Sequence, residues 1–347
     1  MKPQKKKTFV VVSLMVAGVM VLALAAALLS NFSKLLEVLR GLEKGFLMLA
    51  LLTTGAAYLS SALSFRTLFK MALHPVPFPK FFSIMFISDT VNFIVSSAGM
   101  SSIAIRAFLL KQQKVPYALS IPLSLAQNMV FNLVLSCFSL GGLVYLQGHP
   151  EFKGGLKQTA LLFFMAGLLL VVACMMMFFF NRAFRRRLFG LFLALGDGLN
   201  HVVLAGRFNH PHWEGIQDQV ESTLELLRGG WARLLLVFAW VSIDWGCMAL
   251  TLYFCFQAVG VDLSLGLLLV GFTVMFLSSN VNPVPAGLGI SESLLALTFK
   301  LLGVDFERTL VAALIYRFVY YLIPLGISTA LYVDSIRSFL KSQADEK

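Results

Sequence analysis

Charge is what this sequence has least of. Only 13% of its 347 residues are Asp, Glu, Lys or Arg, against 58% hydrophobic residues and a mean hydropathy of +0.83. A soluble domain of this length cannot cover its surface with so few charges, and the long apolar runs point to a polytopic membrane protein. Cysteine is scarce too. Cys137, Cys174, Cys247 and Cys255 all lie in apolar runs without zinc-ligand or CxxC spacing, which excludes a disulfide framework and reads as small packing residues. Acidic residues number 17 against 28 basic ones, giving a net charge of +11. The basic residues form short blocks beside apolar runs, as topology signals and contacts to anionic lipid do, and no nucleic-acid-binding module accompanies them. No GxxxxGK[ST], D-D-x-x-D, H-E-x-x-H or G-x-S-x-G pattern occurs, so neither ATP-driven transport nor a familiar catalytic site is expected.

Apolar runs long enough to span a bilayer lie near 8–30, 46–65, 117–146, 159–180, 231–257 and 309–333. The first follows MKPQKKK and reads as an uncleaved signal anchor, with the AAA at 25–27 leaving a removed signal peptide as the alternative. Two shorter runs, 81–97 and 265–281, break into SSAGMSS and NVNPVPAGLGISES and resume at 103–110 and 294–302. Pro and Gly there leave backbone groups unpaired, and lipid tolerates this only around a protein-lined or water-filled cavity.

Placing the basic loops in the cytoplasm makes 81–116 a hairpin dipping in from that side and 265–302 one entering from outside, with both termini cytoplasmic. A gapless shift of 190 residues superimposes Ser88, Val91, Asn92, Gly99 and Ser101 on Ser278, Val281, Asn282, Gly289 and Ser291, and Gln127 on Arg317. The expected fold is an all-α polytopic membrane protein, with about six full transmembrane helices and two broken re-entrant hairpins in an inverted repeat. The whole chain, 1–347, reads as a single membrane domain. Residues 8–180 form the first half with hairpin 81–110, and 231–333 the second half with hairpin 265–302. A cytoplasmic loop, 181–230, separates them and carries FRRRLF and an amphipathic helix at 213–228. His201, His210 and His212 in that loop lack the spacing of a zinc face, so no metal or other cofactor is expected.

Interruptions at matching positions of two halves are the best sequence pointer to a transporter's binding site. The candidate residues are Asn92, Gly99 and Arg106 in the first half, and Asn282, Pro283, Pro285, Gly287, Gly289, Glu292 and Arg317 in the second. An arginine fork suits phosphate oxygens, and a glutamate suits an amine or a gating arginine. Glu292 and Arg317 have two open readings: head-group binding, or pairing with each other to hold the hairpin. Asp89, Asp244 and Gln127 are candidates for proton or head-group contact, with plain helix–helix hydrogen bonding as the alternative for the two acids. Asn92 and Asn282 suit freed carbonyls at the hairpin openings, with substrate contact second. Trp240 and Trp245 fit interfacial anchoring or packing equally.

PVPAGLGISESLLALTF, NFIVSSAGMSSIAIRAFLL and YRFVYYLIPLGIS together resemble the lysylphosphatidylglycerol synthase membrane-domain family, in that family's order and over nearly the whole chain. The resemblance implies a flippase-like protein of the cytoplasmic membrane that moves a polar-headed phospholipid or isoprenoid-linked lipid by alternating access. Its partners would be membrane lipids and a separate lipid synthase. Two departures stand out: Ala286 replaces the first Gly of the family's PGG step, and SLAQNMVFN places Gln127 and Asn128 where a Glu-Arg pair is common. No aminoacyl-transferase domain follows the membrane part, so synthase chemistry is not expected. An intramembrane lipid transferase with Glu292 or Asp244 as base, or a non-transporting accessory subunit, are the competing readings.

Overall fold

The structure, a computed structural model, describes residues 37–71, 76–94, 100–188, 221–222, 225, 229–281 and 289–332. These residues form helices and connecting turns. In chain order the main helices are α1 (Lys44–Met71), α2 (Phe78–Ile94), α3 (Met100–Gln112), α4 (Tyr117–Gly148), α5 (Gly155–Phe180), α6 (Trp231–Ala258), α7 (Leu265–Val281), α8 (Ile290–Leu301) and α9 (Phe306–Tyr332).

Five of them, α1, α4, α5, α6 and α9, are long and apolar enough to cross a membrane, matching five of the six expected spans within a few residues. The remaining expected span, 8–30, lies outside the described residues, as does most of the amphipathic stretch 213–228. The helices of the two interrupted regions are short. The 17 residues of α2 and of α7 reach only about 25 Å at 1.5 Å per residue, less than the roughly 30 Å of hydrocarbon. Each packs on the helix after its break, α2 on α3 and α7 on α8.

The largest interface joins α1 to α6, which the 190-residue shift places on one another. They run antiparallel. The Glu43 amide donates to the Ala258 carbonyl at 3.0 Å, Phe46 stacks on Phe254 at 6.4 Å, and Thr53 and Thr251 share a 2.8 Å hydroxyl contact. Small residues recur every three to four positions along α1, at Ala50, Thr54, Ala57, Ser61 and Ser64, and all are buried among the neighbouring helices. Small residues at helical spacing let backbones come close where lipid supplies no hydrophobic drive between helices. Two corresponding helices lying antiparallel are what an inverted repeat requires. The same order of packing recurs in both halves, from long helix to short pair to long helix.

The halves also meet where α4 crosses α7. A Cβ added at Gly142 would come within 2.7 Å of the Leu269 carbonyl oxygen and the Thr273 hydroxyl, so glycine sets this distance. By contrast α5 is the most apolar span, with a mean hydropathy of 2.7, and the least buried, at 6%. Phe163, Phe164 and Leu170 point outward from it, as a helix at the lipid boundary demands. The cysteines divide: Cys255 is packed in the core, while Cys137 and Cys174 face outward.

Candidate functional site

The first half gathers its polar residues around one arginine. Arg106 on α3 is 5% exposed and spends three donors on three elements. Its Nε donates to Ser88 Oγ at 3.0 Å, and its two terminal nitrogens donate to Gln127 Oε1 on α4 and Asp89 Oδ1 on α2. Phe65 of α1 lies under the guanidinium, 5.1 Å from its centre. Asp89 also accepts from Ser61 Oγ at 2.7 Å, and Gln127 Nε2 donates to the Ser61 carbonyl at 3.1 Å and to Ser64 Oγ. Helices α1, α2, α3 and α4 are therefore tied to one ion pair. A desolvated pair of this kind holds only when its remaining donors and acceptors are satisfied.

Above this network lies a cavity of about 40 Å³, lined by Ser61, Asp89, Asn92, Ser102, Arg106, Gln127, Asn128 and Phe131 from the first half, with Tyr58, Asp244 and Tyr320. Its walls come from both halves. Tyr58 of α1 donates to the Tyr320 carbonyl at 3.2 Å, and their rings stack at 5.5 Å. A widened π turn at Phe318–Leu322 of α9 carries Tyr320 into this position. Such turns insert a residue into the helical repeat and re-aim its neighbours. Trp245, next to Asp244, is fully packed rather than interfacial: its Nε1 donates to the Phe131 carbonyl at 3.1 Å, and its ring meets Phe131, Phe272 and Phe276.

The second half carries a different pair. Glu292 and Arg317 are 0% and 4% exposed and bonded to each other, Arg317 Nε donating to Glu292 Oε1. The other carboxylate oxygen, Oε2, accepts the Gly289 amide at 2.8 Å and so caps the start of α8. Gly289 has φ +86°, a left-handed conformation that a side chain disfavours. Arg317 also lies over Tyr321 at 4.4 Å. Of the two readings open for Glu292 and Arg317, the structure displays mutual pairing. The shift that superimposes the halves aligns Gln127 with Arg317, and Gln127 is likewise bound to its half's hairpin, as acceptor from Arg106.

The structure brings Asn92, Arg106, Asp89, Gln127 and Asp244 to one cavity, and keeps Gly289, Glu292 and Arg317 together apart from that lining. Gly99, Asn282, Pro283, Pro285 and Gly287 lie outside the described residues. Asn92 accepts from Ser101 Oγ at 3.1 Å, across the first break. Helix–helix hydrogen bonding, the plainer reading for both acids, fits Asp89, whereas Asp244 has no hydrogen-bond partner among the described residues. Sequence reasoning missed Tyr58, Ser61, Ser64, Ser88 and Tyr320. The small-residue stripe on α1 was the available signal for the serines at 61 and 64, and nothing marked the two tyrosines.

At the far end of α5, Arg182 and Arg186 converge on Glu221. Burial pushes that carboxyl up, and hydrogen bonds from Arg186 and Arg182 outweigh it, so it titrates below the ordinary carboxylate range.

Comparison with known proteins gives this arrangement its relatives. The chain is 37% identical to a phosphatidylglycerol lysyltransferase of Staphylococcus aureus (strain MRSA252) over 112 residues, 29% of this chain and 13% of that protein. It is 33% identical to the enzyme of the same name from Staphylococcus epidermidis over 89 residues, 26% of this chain and 11% of that protein. The chain thus spans only a small part of the length of these relatives. A family described as "Lysylphosphatidylglycerol synthase TM region" matches residues 10–328. Its five apolar helices and this match identify the chain as an integral membrane protein belonging to the lysylphosphatidylglycerol synthase transmembrane-region family.

Proposed function

We propose that this protein is a lipid translocator of the cytoplasmic membrane, not an enzyme. A phosphate-bearing head group crosses through the Arg106 cavity while the acyl tails stay in lipid. The observation that carries the proposal is the unspent capacity of Arg106. A guanidinium has five N–H donors. Three are used, and no further hydrogen-bond partner of Arg106 exists among the described residues, so two remain for the oxygens of a ligand in the cavity that it lines. The relatives are phosphatidylglycerol lysyltransferases, and phosphatidylglycerol is a phosphodiester lipid that such a fork suits.

At about 40 Å³ the cavity has room for one or two waters, and a phosphodiester head group is larger than the benzene that fills a cavity of about 150 Å³. On this reading the structure is a state without room for the head group, which we call closed. Opening separates the α2–α3 pair from α6 and α9, and rocking of one half against the other about the α1–α6 interface would expose the cavity to each side in turn. Both termini face the cytoplasm on the positive-inside reading, and a separate synthase supplies or consumes the lipid.

One observation favours a second reading. The Glu292–Arg317 pair is fully buried, which suits a non-transporting accessory subunit with a rigid centre.

Purified protein in liposomes separates these readings. Acyl-labelled phosphatidylglycerol, phosphatidylethanolamine and polyprenyl phosphate serve as probes, and accessibility to an impermeant reductant reports their movement. Translocation of at least one of them should exceed the protein-free rate. Arg106→Lys, which keeps the charge and loses the fork, should slow it about tenfold, the equivalent of 1.4 kcal/mol. Rates equal to protein-free vesicles for all three lipids would refute the proposal.

A further inference from the structure

Two carboxylates and one guanidinium line the cavity, and the account between them does not balance. Asp89 is neutralised by Arg106 and also accepts from Ser61. Asp244, on α6, is 2% exposed and lines the same cavity, yet has no hydrogen-bond or ion-pair partner among the described residues. The groups facing it from the packed elements are Tyr58 of α1, Asp89 of α2, Arg106 of α3, Gln127 and Asn128 of α4 and Tyr320 of α9, with Cys247 on its own helix. Arg106 is the one cation among them, and it is already engaged.

An isolated carboxylate removed from water costs several kcal/mol, and a second carboxylate across the cavity adds repulsion. Asp244 therefore needs a cation, and among the described residues lining the cavity the one cation, Arg106, is paired with Asp89. Among the described residues no group of three or more His, Cys, Asp or Glu gathers around it as ligands for a metal ion. A proton needs only the carboxyl itself.

We propose that Asp244 is an exchangeable proton-binding site, and that its proton is the coupling ion of the translocation proposed above. In the closed state the carboxyl is neutral. When it ionises, the proton passes from Oδ to water in the cavity and on to bulk solvent. The new carboxylate then competes with Asp89 for Arg106. Drawing Arg106 away breaks its bonds to Ser88, Asp89 and Gln127, the bonds that hold α2, α3 and α4 together. Loss of one proton thus loosens the wall that must open. The coupling rests on the transport reading, whereas the proton site does not.

Infrared difference spectroscopy of the full chain in lipid nanodiscs tests the site without transport. Wild type at neutral pH should show the carbonyl stretch of a protonated carboxyl, and the band should vanish in Asp244→Asn, a near-isosteric change, and remain in Asp89→Asn. Equal thermal midpoints for wild type and Asp244→Asn would establish that the variant is folded. A missing band in wild type, or one that persists in Asp244→Asn, would overturn the site. In liposomes, an imposed pH gradient should change the wild-type translocation rate, and Asp244→Asn should lose that dependence. Wild-type transport indifferent to the gradient overturns the coupling. An Asp244-specific band without movement of any lipid supports the site and overturns the transport reading instead.

Discussion

Replacing Arg106 by alanine should destabilise the folded protein by about 3–5 kcal/mol, the range for removing one partner of a buried ion pair. The loss comes from what stays behind more than from the contact removed. Asp89 would be left with Ser61 alone, and Gln127 Oε1 and Ser88 Oγ would each lose the donor they face. Because Arg106 ties α2, α3 and α4 together, the fault would spread through the half. Adding Asp89→Asn should recover part of the stability, since the stranded charge disappears, and the double variant should cost less than the sum of the single ones. Detergent-solubilised variants unfolded with increasing SDS would provide these differences. Strictly additive losses would show that the pair is not coupled and that the network has been misread.

Glu292 gives the second large effect. Glu292→Ala should again cost about 3–5 kcal/mol, because it strands the buried Arg317 guanidinium. It also releases the Gly289 amide, a cap worth a further ~1 kcal/mol. Glu292→Gln should separate the two contributions. Its amide oxygen can still accept one hydrogen bond, but it carries no charge to balance Arg317, so its cost should lie between wild type and alanine. In the same SDS series, Glu292→Gln as damaging as Glu292→Ala would assign the whole effect to charge. A neutral Glu292→Ala would remove the pair from the list of stabilising contacts.

Much of this architecture was legible in the sequence, and for identifiable reasons. Span length is a solvent constraint, so apolar runs marked α1, α4, α5, α6 and α9 to within about six residues at each end. Backbone breaks are equally constrained, and the Gly- and Pro-containing stretches separated α2 from α3 and α7 from α8. Ionisable residues in apolar surroundings singled out Asp89, Arg106, Asp244, Glu292 and Arg317 because each is expensive there.

Partner choice was harder to read. Nothing in the spacing pairs Asp89 with Arg106, because a hairpin of unknown geometry separates them. Nor did it say whether Glu292 would face Arg317 or a ligand. Tyr58 and Tyr320 were invisible, since an aromatic in an apolar helix looks like packing until the other half supplies a wall. The π turn that places Tyr320 is marked by neither Pro nor Gly. In sequence Asp244 stands level with Asp89 as a candidate for proton or head-group contact, because lacking a partner among the described residues is a property of the assembled site.

The central claim is that the Arg106 cavity opens to water on both sides of the membrane. Ser102 is the best reporter, since it lines the cavity and cysteine is nearly isosteric with serine. With Cys137, Cys174, Cys247 and Cys255 replaced by alanine and Ser102→Cys introduced, oriented vesicles can be treated with a membrane-impermeant maleimide from either side. The account predicts labelling from both sides, with the lipid substrate slowing it. Labelling from one side only, or from neither, would contradict alternating access and leave the cavity a structural pocket.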